Sequence, residues 1–160
     1  MSGPLTRRPL ISAGLLLGVG LGGFVDGIVL HQILQLHNML SAKLPPTSVV
    51  NLEVNMVWDG LFHAFTWITT ALGVYLLFRA GHRRDVLWSG RILLGAMIAG
   101  WGLFNFVEGL IDHHILQVHH VVERLGLSVW DWAFLGSGIV LMAAGAWMIR
   151  SDPPRRPDLV

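Results

Sequence analysis

The chain contains no cysteine and little charge. Of its 160 residues only 13% are Asp, Glu, Lys or Arg, about half the share usual in a soluble domain. The missing cysteine excludes disulfides, thiolate zinc sites and thiol nucleophiles, and it leaves redox compartment unreadable. The formal net charge is +1 and no basic stripe with interleaved aromatics is present, so no nucleic-acid partner is indicated. What is abundant is apolar: 53% of residues are hydrophobic and the mean hydropathy is +0.60. Such a chain has lipid as part of its solvent.

Four apolar stretches carry this bias: about Leu10 to Leu30, Val57 to Phe78, Ile92 to Ile111 and Val129 to Ile149. Each approaches the ~20 residues that cross ~30 Å of hydrocarbon at ~1.5 Å per residue. Arg7 and Arg8 before the first stretch look like the start of a signal peptide. The apolar run is longer than the usual ~7–15 residues, so it is read as a retained helix. The fold class expected is all-α, an integral membrane four-helix bundle. Nine of the eleven Lys and Arg fall on one side of it, at Arg7, Arg8, Arg79, Arg83, Arg84, Arg91, Arg150, Arg155 and Arg156. Lys43 and Arg124 fall on the other. The positive-inside rule then places both termini in the cytoplasm. Residues 1–9 are read as an N-terminal segment, 10–150 as the transmembrane domain and 151–160 as a disordered cytoplasmic tail.

The chain also repeats itself. Phe24-Val25-Asp26-Gly27-Ile28-Val29-Leu30-His31 through His37 aligns without gaps, at one constant offset, on Phe106-Val107-Glu108-Gly109-Leu110-Ile111-Asp112-His113 through His119. A weaker echo links Val57-Trp58-Asp59 to Val129-Trp130-Asp131. The unit is a two-helix hairpin used twice, over 10–80 and 92–150, so the domain is two tandem transmembrane hairpins. A pseudo-twofold axis along the membrane normal is expected. Pro45-Pro46 followed by Thr47 and Ser48 predicts a stop and then a helix N-cap.

Repeat and topology together place the ionisable groups. Seven of the eight histidines gather at the outer ends of the helices, and only His82 lies on the basic side. The candidate metal ligands are Asp26, His31, His37, Asp59, His63, Glu108, Asp112, His113 and His119. Acids inside membrane segments are costly and usually pair, neutralise, bind a cation or line a wet cavity. Histidine is the commonest metal ligand, and an imidazole/carboxylate set without thiolate suits copper(II), iron, zinc or manganese. Asp59 and His63 are four apart and share a helix face. Asp26 and His31 are five apart, about 140° round an ideal α-helix, and converge only from the flanks of one face or across a π-bulge. His37 lies about 16 Å along from Asp26 on an unbroken helix. The spacing therefore predicts two sets: a deeper one (Asp26, Glu108, Asp59, His63, His31, His113) and a shallower one (His37, His119, His120). Plainer readings stand beside these. His114, His119 and His120 are also compatible with simple solvation, Asp131 with a helix N-terminal charge, and Trp58, Trp130 and Trp132 with an interfacial belt.

The phrases at residues 23–35, 58–63 (Trp-Asp-Gly-Leu-Phe-His) and 105–116 resemble a bacterial family of four-helix membrane proteins that is filed as a domain of unknown function. The resemblance covers about residues 10–150. It implies the same fold and a plasma (inner) membrane location, and it tilts the choice of metal toward copper and oxidase-assembly functions. It brings no catalytic residues. Three functional classes follow. The first is a metal-binding membrane protein for copper handling or metal-dependent redox chemistry. The second is a haem b protein with His31 and His113, or His37 and His119, as axial ligands. The third is a proton-coupled transporter or accessory subunit using Asp26 and Glu108. The expected partners are the lipid bilayer and either further copies of the chain or a respiratory or metal-handling membrane protein. The pair His113-His114 and His119-His120 superficially resembles desaturase histidine boxes, but with different spacing and on the outer side.

Overall fold

The computed structural model describes residues 5–153. Arg155, Arg156 and the rest of the expected tail from residue 154 on lie outside the described residues. The structure has four long helices: α1 (Arg8–Val25), α2 (Val49–Gly81), α3 (Gly90–Glu108) and α4 (Val129–Arg150). All four are long and apolar enough to cross a membrane. α1 continues into a π-helical segment, Asp26–Ile33, and α3 into a second one, Gly109–Ile115.

Local chemistry sets the boundaries. Pro9 stands in the first turn of α1, where its missing N–H costs nothing. Ser48 accepts a hydrogen bond from the Asn51 N–H at 3.2 Å and starts α2, so the helix begins well before Val57, where the apolar stretch starts. Ser89 caps α3 in the same way. Ser128 and Asp131 form a reciprocal capping box at the head of α4.

α1 and α3 pack against each other at the centre, α2 lies on α1, and α4 lies on α3. Half of the membrane-crossing window of α1 and of α3 is buried, against 17% for α2 and 11% for α4. The outer helices therefore turn large apolar side chains such as Trp67, Phe78, Val140 and Trp147 toward lipid. Glycine permits the central contact. A Cβ on Gly18 would collide with the Met97 backbone, and one on Gly100 with the Leu15 carbonyl. These two glycines align with each other at the offset seen in the sequence, and they also touch. Small residues allow such close backbone approach in lipid. At the basic end, a short parallel bridge between Thr6 and Val86 and the Leu10, Leu87, Ile92 cluster tie the first segment to the turn between α2 and α3.

Candidate metal centre

In an α-helix Asp26 and His31 would diverge. The π-helical ladder, which bonds residue i to i+5, stacks residues five apart on successive turns instead. Asp26 Oδ2 accordingly lies 3.1 Å from His31 Nε2. The same device acts on Glu108 and His113 at the end of α3.

The chain then reverses. Gln35 and Gln117, aligned with each other in the sequence, have φ of 49° and 48°, a left-handed conformation that non-glycine residues seldom adopt. The N–H of Leu36 reaches back to the Leu30 carbonyl at 2.9 Å, and that of Val118 to the Asp112 carbonyl at 2.9 Å. This is the π-helical counterpart of the left-handed caps that end α-helices. It folds His37 and His119 back over the helix ends. The expected separation into a deep and a shallow set is therefore corrected: the rise toward His37 assumed a continuing helix, and the helix stops.

Six buried side chains form one connected donor cluster: Asp26, His31, His37, Glu108, His113 and His119. Three trios within it, His31/His37/His119, Glu108/His113/His119 and Asp26/His31/Glu108, each offer ligand atoms within 4.8 Å of one another. Two ligands at ~2.0–2.1 Å from one ion sit up to about 4.2 Å apart, so small rotations close each trio on a cation. His37 and His119 stack with ring centroids 4.7 Å apart and 9° between planes. Glu108 Oε1 is 3.5 Å from His119 Nε2.

The outer partners of the imidazoles decide which nitrogen faces inward. His37 Nδ1 is 3.1 Å from the Val121 carbonyl, and His119 Nδ1 is 3.1 Å from the Met39 carbonyl. A carbonyl only accepts, so Nδ1 carries the proton in both rings and Nε2 keeps its lone pair. His31 Nδ1 is 3.1 Å from Asp59 Oδ1, and His113 Nδ1 is 3.3 Å from Asp131 Oδ1. The Nε2 atoms of all four rings, His113 Nδ1, both Glu108 oxygens and Asp26 Oδ2 are buried without an aligned hydrogen bond among the described residues, His31 Nε2 and Asp26 Oδ2 facing each other at 3.1 Å. Buried polar atoms are nearly always paired, so this many orphans in one cluster need an explanation. Burial holds the His37 imidazole down at about 4 and pushes that of His119 well below its ordinary value. Both rings are therefore neutral near pH 7, the form that binds metal.

The remaining expected ligands fall elsewhere. Asp59 belongs to none of the trios. Its carboxylate accepts from His31, from the Met39 N–H at 2.9 Å and from Asn38 Nδ2 at 2.8 Å. His63 Nδ1 turns to the Asp59 carbonyl at 2.7 Å, with its ring against Gly27. Asp112 lines a cleft beside Glu108. His114 Nδ1 bonds the Gly109 carbonyl. Asp131 is the helix N-terminal charge that the sequence allows, and as a fully buried cap it also faces His113 and, at 3.5 Å, His120 Nδ1. Its contact with His113 matches that of Asp59 with His31, as the echo of Val57-Trp58-Asp59 in Val129-Trp130-Asp131 suggests.

Four membrane-crossing helices that gather buried imidazoles and carboxylates at one end make this an integral membrane protein with a cluster able to hold a metal ion. The chain belongs to the family described as predicted membrane protein (DUF2243), whose profile matches residues 13–152. No curated protein and no solved structure matches it.

Proposed function

We propose that this protein binds a divalent transition metal at the outer end of the bundle, through Asp26, His31, His37, Glu108, His113 and His119. The observation that carries this reading is the set of four buried Nε2 atoms without an aligned hydrogen bond among the described residues, with the lone pairs of His37 and His119 turned inward because Nδ1 of each faces a backbone carbonyl. Metal-ligating histidines usually have this arrangement, with a carboxylate or carbonyl fixing the tautomer. Asp59 and Asp131 act through His31 and His113 as positioning residues.

Charge supports the same reading. Asp26, Asp59, Glu108 and Asp131 are all buried, and isolated carboxylates in a low-dielectric interior are costly. One divalent ion offsets two of them; two ions sharing Glu108, the acid common to two trios, offset all four. An imidazole-rich oxygen/nitrogen set favours copper(II) by the Irving–Williams order, with iron, zinc and manganese as alternatives. Copper handling or metal-dependent redox chemistry fits such a centre, and no residue is given a catalytic role. For haem, axial imidazoles would have to face an iron from opposite sides. His37 and His119 instead stack on each other, and they occupy the space beside His31 and His113, with ring centroids at 4.3 and 4.8 Å.

The symmetry of the cluster is read as two tandem copies of one hairpin. Aligned positions supply matching ligands, matching left-handed glutamines and matching crossed contacts, His37 to Val121 and His119 to Met39. The basic end is assigned to the cytoplasm and the metal end to the outer leaflet of the plasma membrane.

The test is elemental. Protein purified in mild detergent without chelator is assayed for copper, iron, zinc and manganese per chain. We expect one or two ions per chain, lost in His31→Ala/His113→Ala. A native protein that holds no metal, even after reconstitution, refutes the reading.

A further inference from the structure

Among the described residues, the helix backbones of α2 and α3 do not pack on each other. Between them, floored by Val19 of α1, lies a cleft of about 360 Å³, at the lower end of the roughly 300–1,000 Å³ usual for small-molecule sites. Phe62 and Phe65 of α2 and Leu103, Phe104 and Val107 of α3 line it, and its polar end is Glu108 and Asp112. The opening lies between two helices of the membrane domain and therefore faces lipid.

A second, smaller cleft reaches Asp26 between α1, α3 and α4. The two are counterparts. At the offset that aligns Asp26 with Glu108, Val19, Phe104, Val107, Glu108 and Asp112 correspond to Trp101, Gly22, Val25, Asp26 and Leu30. In the register that aligns Asp59 with Asp131, Phe62 corresponds to Phe134. All six counterparts line the second cleft. The two sites differ in character at three of these positions, one of them Gly22 in place of Phe104, which leaves room for the Trp101 ring lying against it. Trp101 stands where the larger cleft has Val19, and Leu30 stands where it has Asp112. The cleft with Trp101 holds only about 120 Å³. One copy is largely filled and ends on Asp26 alone among the acids; the other is open and carries a second acid.

Asp112 gives the second observation. It is half-buried within a membrane-crossing helix and makes no side-chain hydrogen bond among the described residues. An acid at such a position is costly and marks a functional site by default. Beside it, Glu108 is 5% exposed and both its oxygens are unpartnered.

We infer that the α2–α3 cleft binds a membrane-dissolved molecule with an apolar body and a hydroxyl head group, the head donating its one proton to Asp112 beside the accepting Glu108 at the edge of the proposed metal centre. The choice of a donor head rests on the metal reading above, since a glutamate ligating an ion is ionised and only accepts. The apolar walls take a ring or short chain. Lateral entry suits a molecule that partitions into lipid.

The experiment uses the full chain in lipid nanodiscs, with a diazirine-bearing 4-alkylphenol as photoprobe and peptide mass spectrometry to locate the label. We expect labelling on the Phe62–Phe65 and Leu103–Val107 segments. It should be competed by 4-heptylphenol and roughly tenfold less well by 4-heptylanisole, which has lost the donor of a hydrogen bond to a charged group. Val19→Trp/Phe104→Gly, which copies the filled cleft, should abolish the label while metal content stays unchanged. Asp112→Leu, which copies Leu30, should remove the preference for phenol over anisole, and it keeps the test open if the tryptophan variant fails to fold. Label outside the cleft, equal competition by the two probes, or labelling unaffected by either variant would overturn the proposal. Cleft labelling in a protein that binds no metal would sink the metal reading and leave the cleft standing.

Discussion

Asp59→Asn is the most informative single change at the centre. The substitution keeps the size of the side chain but removes its charge, behind an imidazole that is fully buried. In the native protein Oδ1 accepts from both His31 Nδ1 and the Met39 N–H, while Oδ2 accepts from Asn38 Nδ2. An asparagine keeps an oxygen for the first two donors and turns an N–H₂ toward Asn38, whose own amide must flip to answer it. What is lost is the carboxylate that, in the proposed centre, raises the basicity of Nε2. Removing such an outer partner typically costs about 10–100-fold in metal affinity, or roughly 1.4–2.7 kcal/mol. Asp59→Ala should do worse, because it also leaves Met39 N–H and Asn38 without their acceptor, at about 1–3 kcal/mol for each buried group. The assay is competitive metal titration of the detergent-solubilised protein against a chelator of known affinity, with circular dichroism to confirm helicity. The same substitution is then made in His31→Ala. If Asp59 works through His31, its effect should largely vanish in that background. Affinity unchanged by Asp59→Asn, or an equal loss with and without His31, would refute the positioning role.

Two further outcomes are expected. Gly18→Val should abolish a monodisperse folded species on gel filtration, because the new side chain meets Met97 backbone at the α1–α3 contact, whereas Gly60→Ala, with nothing within 4 Å of the added Cβ, should be tolerated. In the metal-free protein, stability should fall on acidification. The folded His37 has its pKa near 4 against about 6.5 unfolded, so the unfolded chain binds more protons between those values. Its contribution is fully present above about pH 6.5 and is lost as pH drops toward 4. A thermal-unfolding midpoint that is flat or rises across that window would contradict the burial of these imidazoles as neutral rings.

Much of this protein was legible in its sequence, and the reason is solvent. Lipid demands long apolar helices with internally satisfied backbones, so composition alone announced four spans. The gapless alignment of the chain on itself paired Asp26 with Glu108, His31 with His113 and His37 with His119 from residue types alone. What periodicity misjudged was where the helices stop being α-helices. An α-helical repeat sends Asp26 and His31 apart and carries His37 away; the π-helical turns and the left-handed Gln35 and Gln117 reverse both results. Those conformations are carried by the crossed contacts of the two returning loops, His37 with Val121 and His119 with Met39, which join parts of the chain far apart in sequence. No local propensity encodes such a contact. The same holds for the two clefts: Val19 and Trp101 differ plainly in the sequence, but only the helix packing, with α2 beside Val19 and with Gly22 and α4 beside Trp101, makes one of them a wall and the other a plug.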